Sequence, residues 1–322
     1  MDDELRTRAL RAIEEKVFPG CAIGLIRANM PIVISAGTID GTVPVAANTI
    51  YDVASITKSI PTASLALVLI AEGKLSLEDP IVRYVPELHN DYGATLEDLL
   101  RYRVRGARLS QLNLTTFEEI RTHVFEHGFE GPPADRHGFT NLPAYLLGLI
   151  VERVAGSKLP ELSHRYFFEP FKMHDTTFFP HDMERIAPTE IIDEREIRGI
   201  VHDESARVFA RARRAVGHAG LFSTAPDLLD FLQQFLAHDG FTKPVIESAQ
   251  EGLGWQVNEE WMGDKRGGKT FGKTGFTGTS ILCDVERGIG FVILSNRTYP
   301  HRPPDTSAIN AFRRDVADIV FG

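Results

Sequence analysis

Tyr51-Asp-Val-Ala-Ser-Ile-Thr-Lys58 is the stretch from which the rest of the chain can be read. It leads into an apolar-rich run that ends at Gly73. This pattern predicts a helix over 56–72 with Ser55 at its start and Gly73 as its stop. A serine at a helix start with a lysine three residues on places both on one helical face, one turn apart. The helix start adds free backbone N–H groups and a partial positive charge, which stabilise an oxyanion on a carbonyl attacked by Ser55. Lys58 can serve as the base if a second cation nearby lowers its pKa. The plainer reading makes Ser55 a helix cap and Lys58 a solvated side chain. No other serine in the chain is followed by a lysine at this spacing.

Working outward, residues 5–17 carry apolar side chains at helical spacing and stop at Pro19-Gly20. Residues 21–26 and 32–35 then read as two strands joined by a turn around Asn29. Residues 75–169 read mostly as helices and loops, with the clearest helix at 143–154; another spans 226–237, with Ser223 or Thr224 as its cap. From Gly252 onward the runs 252–257, 269–274, 279–285 and 288–295 are short and β-rich, with a hairpin turn at Arg287-Gly288, and 305–320 closes the chain as a helix. The expected fold is α+β. An antiparallel sheet is built from N- and C-terminal strands and flanked by helices, and a mainly helical region is inserted between them. As a single unit, its α/β part covers roughly 1–60 and 225–322 and its helical part roughly 61–224. A cleft between the two parts is where a ligand is expected.

Two further motifs fit that cleft. Lys273-Thr-Gly275 on a strand offers a positive charge beside a flat backbone edge, and Gly275 lets a substrate lie against it. The alternative is an edge-strand lysine that discourages aggregation. Asn141, in Phe139-Thr-Asn141, can donate its amide to a substrate carbonyl and accept from a lysine, or it can simply cap the helix that follows.

The composition narrows the function. With 322 residues, 35 Lys and Arg against 44 Asp and Glu give a net charge of −9, which argues against a nucleic-acid partner. No stretch is expected to span a bilayer. The start, Met1-Asp-Asp-Glu-Leu5, is acidic rather than signal-like, so the chain reads as cytoplasmic as written, or periplasmic or extracellular if a signal was removed. Cys21 and Cys283 sit in apolar runs and read as buried free thiols. Eleven histidines form no His-Glu-x-x-His pattern, so no metal or other cofactor is expected. The partner is a small-molecule or peptide substrate.

In order, Ser-x-x-Lys, aromatic-x-Asn and Lys-Thr-Gly resemble the serine beta-lactamase and penicillin-binding protein superfamily, in particular its class C-like serine hydrolases. The resemblance extends to Glu72-Gly-Lys-Leu-Ser-Leu-Glu-Asp-Pro80, Tyr145-Leu-Leu-Gly148, Val201-His-Asp-Glu204, Gly217-His-Ala-Gly-Leu-Phe-Ser-Thr-Ala-Pro-Asp227 and Gly252-Leu-Gly-Trp255. It implies Ser55 as the acylated nucleophile, Lys58 as its activating partner and Asn141 as a substrate-orienting amide. It also implies that Lys273 and Thr274 hold the site's charge and a substrate carboxylate, and that the N–H groups of Ser55 and Phe276 form the oxyanion hole.

Three departures stand against this pattern. Phe139 replaces the family tyrosine whose phenolate helps take the serine proton. Arg101-Tyr-Arg-Val-Arg-Gly-Ala-Arg108 replaces a Thr-His-Thr-Ser-Gly-like turn, and 207–214 is unusually rich in arginine. His218, His202 and Tyr102 are the titratable groups available to stand in for the tyrosine, His202 also reading as a loop-ordering or ion-pair element. The sequence thus supports an acyl-transfer hydrolase acting on an ester, a lactam or a D-amino-acid peptide. The alternative is a binding module on the same fold that is acylated slowly or not at all.

Overall fold

A computed structural model describes residues 1–27, 30–135 and 140–322. In chain order it contains helix α1 (Asp2–Glu14), strands β1 (Gly20–Arg27), β2 (Met30–Gly37) and β3 (Tyr51–Asp52), and helices α2 (Ser64–Ala71), α3 (Leu96–Leu100), α4 (Phe117–His127), α5 (Asn141–Ala155) and α6 (Leu159–Ser163). Strands β4 (Glu190–Ile192) and β5 (Arg195–Ile197), helix α7 (Glu204–Arg211), strand β6 (Phe222–Ser223) and helices α8 (Ala225–Ala237) and α9 (Thr242–Gln250) follow. Strands β7 (Gln256–Val257), β8 (Phe271–Thr274), β9 (Ser280–Asp284) and β10 (Ile289–Ser295) lead to helix α10 (Ser307–Phe321).

The fold is α+β, and its main sheet joins the two ends of the chain. Six antiparallel strands run in the order β2-β1-β10-β9-β8-β7. Strand β1 pairs with β10 from Cys21 opposite Ser295 to Arg27 opposite Ile289. Both strands are apolar at nearly every position because helices cover both faces, which removes the alternation of a half-exposed strand. On one face α1 and α10 bring Leu5, Ala9, Phe312 and Val316, each pair spaced four apart, against Ile23 and Ile293. On the other, Leu228, Leu232 and Phe235 of α8 belong to a larger core that runs on into the helical part. Cys21 and Cys283 are both buried and free.

The single helix expected over 56–72 is in fact three pieces. A 3₁₀ turn covers Ala54–Lys58, a wide π turn covers Ser59–Ala63, and α2 follows, with Ile60 at a non-helical φ of −116° and ψ of 112°. Pro61 is the cause, since it lacks an N–H and its ring drives the preceding residue out of helical backbone. Side chains brace the break: Ser59 Oγ donates to Gly254 O at 2.6 Å, and Ser64 Oγ to Ser59 O at 2.9 Å. The whole run Ala54–Ala71 is 18 residues long with a mean hydropathy of 1.5, which corrects the expectation that no stretch has a membrane-crossing length and polarity. It is 83% buried, so its apolar surface serves the core.

Candidate active site

Ser55 sits on a turn fixed from three sides. The residue before it, Ala54, has φ of +48°, a left-handed conformation that a side-chain-bearing residue keeps only when its surroundings enforce it. Asp52 does so: Oδ1 accepts from Ala54 N–H at 2.8 Å and Oδ2 from His202 N–H at 2.7 Å. Burial pushes the Asp52 carboxyl up to about 6. From the β8–β9 turn, Thr277 Oγ1 donates to Asp52 O at 2.7 Å and Thr279 Oγ1 to Val53 O at 3.0 Å. Gly275 is required at this junction, because a Cβ there would stand 2.1 Å from Thr279 Oγ1 and 2.5 Å from Val53 O. The Lys-Thr-Gly strand and the serine turn therefore meet backbone to backbone.

Lys58 is buried and its Nζ donates three hydrogen bonds: to Ser55 Oγ at 2.8 Å, Asn141 Oδ1 at 2.9 Å and His218 O at 3.0 Å. Two of these partners are obligate acceptors, whereas the serine hydroxyl can reverse its role. A neutral amine fits the same three contacts, donating to Asn141 and His218 and accepting the Ser55 proton. Burial lowers the Lys58 pKa to about 8, and the charge of Asp203 partly opposes that fall.

Asp203 orients this cluster from behind. Its Oδ2 accepts from Asn141 Nδ2 at 2.9 Å, so the amide is held at both ends. Its Oδ1 accepts from Ser205 Oγ at 2.6 Å and from Ala206 N–H at 2.9 Å, which caps α7. His218 Nε2 lies 3.0 Å from Ser205 Oγ and 3.4 Å from Asp203 Oδ1. Since Ser205 already donates to Asp203, His218 Nε2 carries the proton in this arrangement. Burial alone would raise the Asp203 pKa, but the contacts from His218, Ser205 and Ala206 more than offset it and keep the carboxylate charged. Burial lowers the His218 pKa, against the pull of Asp203.

Lys273 completes the cationic side. It is buried, with its ammonium 5.1 Å from the centre of the Tyr102 ring. Burial, and next the charge of Lys58, press its pKa well below the usual lysine range. The expected repulsion between the two lysines thus falls on Lys273, and Lys58 owes its own lowering mainly to burial. Thr274 donates to Gln256 Oε1 through both N–H, at 3.2 Å, and Oγ1, at 3.3 Å. Phe276 is exposed, and its carbonyl accepts from Arg297 Nε at 2.8 Å. The buried Arg313 donates to Gly275 O at 2.9 Å and Thr279 O at 2.7 Å, so two guanidinium groups underlie this turn.

The beta-lactamase family profile matches residues 7–314. The chain belongs to the beta-lactamase family. An Escherichia coli K12 protein assigned the name D-alanyl-D-alanine carboxypeptidase is 30% identical over 312 residues, covering 79% of this chain and 70% of that one. A Salmonella agona protein of the same name is 28% identical, covering 82% and 72%. Among solved structures, a beta-lactamase/D-alanine carboxypeptidase from Pseudomonas syringae aligns with a TM-score of 0.77 at 18% identity over 97% of both chains. The hydrolase EstCE1, described as having promiscuous acyltransferase activity, aligns at 0.75 with 20% identity over 100% of this chain and 99% of its own.

Within this beta-lactamase fold, Ser55, Lys58 and Asn141 converge on one cluster, and Lys273, Thr274, Gly275 and Phe276 border it through the β8–β9 turn. Asn141 is not a helix cap: Thr140 holds the N-cap position of α5, and the Asn141 side chain bonds across the cleft. His218 joins the cluster through its carbonyl and Asp203. Burial keeps the phenol of Tyr102 above the usual tyrosine range, so it stays protonated beneath Lys273. His202 serves a neighbouring ion-pair network. Its Nε2 lies 3.1 Å from Glu190, which also pairs with Arg302 at 2.7 Å, and its ring stacks on Phe276. Phe139 lies outside the described residues. Asp203 and Ser205 are the polar partners that sequence reasoning missed; the only signal was the place of Asp203 within the Val-His-Asp-Glu stretch and of Ser205 just after it. The continuous helix expected behind the serine is broken at Ile60, so Ser55 sits in a short 3₁₀ turn rather than at the start of a long helix.

Proposed function

We propose that this beta-lactamase-family serine hydrolase is active and transfers an acyl group to Ser55 from a peptide ending in a D-amino acid, an ester or a lactam. The observation that carries the reading is the hydrogen-bonding of Lys58, which fits a neutral amine receiving the Ser55 proton. With a pKa of about 8, roughly a tenth of Lys58 is neutral at pH 7. Ser55 Oγ attacks the carbonyl as its proton passes to Lys58 Nζ. The N–H groups of Ser55 and Phe276 hold the oxyanion, and the lysine ammonium returns the proton to the leaving group. Neutral Lys58 then activates water against the acyl-serine. The names of the relatives favour the D-alanyl peptide as substrate class.

Intact-mass measurement during turnover of p-nitrophenyl acetate and of benzylpenicillin tests the proposal. An acyl adduct that forms and decays in the native chain and is absent from Ser55→Ala supports it. Undiminished hydrolysis by Ser55→Ala would sink it. A second reading has its own support in Phe139, which cannot provide the hydroxyl of the family tyrosine. In that reading Ser55 is acylated and stalls, and the adduct persists without turnover.

A further inference from the structure

The arginine-rich segment 207–214 is not used by the catalytic cluster. Its last residues, with α4, α5 and the following segment, line a cavity of about 410 Å³ that includes none of Ser55, Lys58, Asn141 or Lys273. That volume falls in the range of small-molecule sites. Phe117, Tyr145 and Phe209 make its aromatic wall, with Phe209 centred 6.0 Å from Phe117 and 5.6 Å from Tyr145. Three guanidinium groups, Arg121, Arg213 and Arg214, stand around it. Arg214 lies 4.1 Å from the centre of the Phe117 ring and Arg121 lies 6.0 Å from it. Among the described residues none of the three has a carboxylate within ion-pair distance, whereas Arg101, Arg103, Arg105 and Arg153 nearby in the helical part each do. The one acid in the lining, Glu152, is paired with Lys158 at 3.4 Å.

The end of α7 gives part of this arrangement a purely structural explanation, since cations are favoured at a helix C-terminus. That argument does not reach Arg121, which lies on α4. Nor does it account for Arg213, which holds φ of +55° at a position where glycine is the usual residue. Arg121 and Arg214 stand over the Phe117 ring, and Arg213, also in the lining, stands 4.5 Å from the centre of the Phe179 ring outside it. Guanidinium groups beside an aromatic wall suit a ligand with an anionic head and an apolar body.

We propose that this cavity binds an organic acid, a carboxylate or phosphate monoester carried on an apolar chain or ring, held by Arg121, Arg213 and Arg214 over Phe117, Tyr145 and Phe209. The cavity adjoins the catalytic cluster without sharing its side chains: Gly217 lines it, and the carbonyl of the next residue, His218, accepts from Lys58.

Titration calorimetry of the full chain with sodium octanoate, octyl phosphate, octylamine, octanol and inorganic phosphate tests this. Carboxylic acids are also products of ester hydrolysis, so the site is located by charge reversal. At least one octyl acid should bind one-to-one with a Kd below about 1 mM. Octylamine, octanol and inorganic phosphate should bind at least about tenfold more weakly, and the double variant R121E/R214E should weaken the acid at least about tenfold. If that variant does not fold, R121Q/R214Q replaces it. Tighter binding of octanoate identifies a carboxylate ligand, and tighter binding of octyl phosphate a phosphate ester. No saturable binding of either acid overturns the proposal. So does equal binding of octylamine or inorganic phosphate, or binding unchanged by loss of the two arginines.

Discussion

Helix α5 contributes to two polar regions of opposite character. At its start, Asn141 joins Lys58, Asp203 and His218 in a buried cluster in which each functional group of Lys58, Asn141 and Asp203 has a partner. One and more turns later, Tyr145, Leu149 and Glu152 line an open cavity where three arginines have no acidic partner among the described residues. The contrast is between charges fixed in advance and charges left available. A cluster that must move one proton has its geometry set before substrate arrives, so little rearrangement is needed in the transition state. A site that receives its counter-charge with the ligand can leave its cations solvated until then.

Breaking the fixed cluster has the larger expected effects. Ser55→Ala should lower ester hydrolysis at least about 10³-fold, read from initial rates, because the covalent route is lost. Lys58→Met should lower kcat/KM by about 10²–10⁴-fold, the usual worth of a positioned base. Gly275→Ala forces the β8–β9 turn away from Val53 and should destabilise the fold by about 1–3 kcal/mol, read as a fall in Tm together with lost activity.

Asp203→Asn keeps a partner for Asn141 but removes a charge. That charge raises the Lys58 pKa, so its loss lowers it. In the proposed mechanism the neutral amine is the active form, so the rising limb of kcat/KM against pH, expected near 8 in the native chain, should move to lower pH. The plateau should fall by up to about tenfold, because a neutral amide holds Asn141 more weakly than the carboxylate does. At the small end, R121E/R214E should leave ester hydrolysis within about twofold of the native rate, since neither side chain touches the cluster.

What the sequence disclosed follows the same division. The sheet was legible because apolar runs at both ends of the chain have nowhere to bury except against each other, as β1 and β10 do. Ser55, Lys58 and Asn141 were legible because short spacings and the family pattern fix them. Asp203 was not, because its contact with Asn141 spans 62 residues and no local spacing records it. The break at Ile60 was open to view in Pro61, but the apolar run around it outweighed a single residue. The cavity arginines stood out only as an excess of charge, whose meaning depended on the aromatic rings beneath them.

The two thiols give the molecule a built-in gauge. Cys21 on β1 and Cys283 on β9 are sealed inside the sheet layers, and burial pushes the Cys21 thiol up to about 12 and that of Cys283 higher still. An alkylating reagent therefore has no thiolate to capture while the sheet is closed, so its rate of incorporation counts openings of the strands. A single cysteine introduced on the exposed end of α7 would then be the sole attachment point for a fluorophore, beside the arginine-lined cavity.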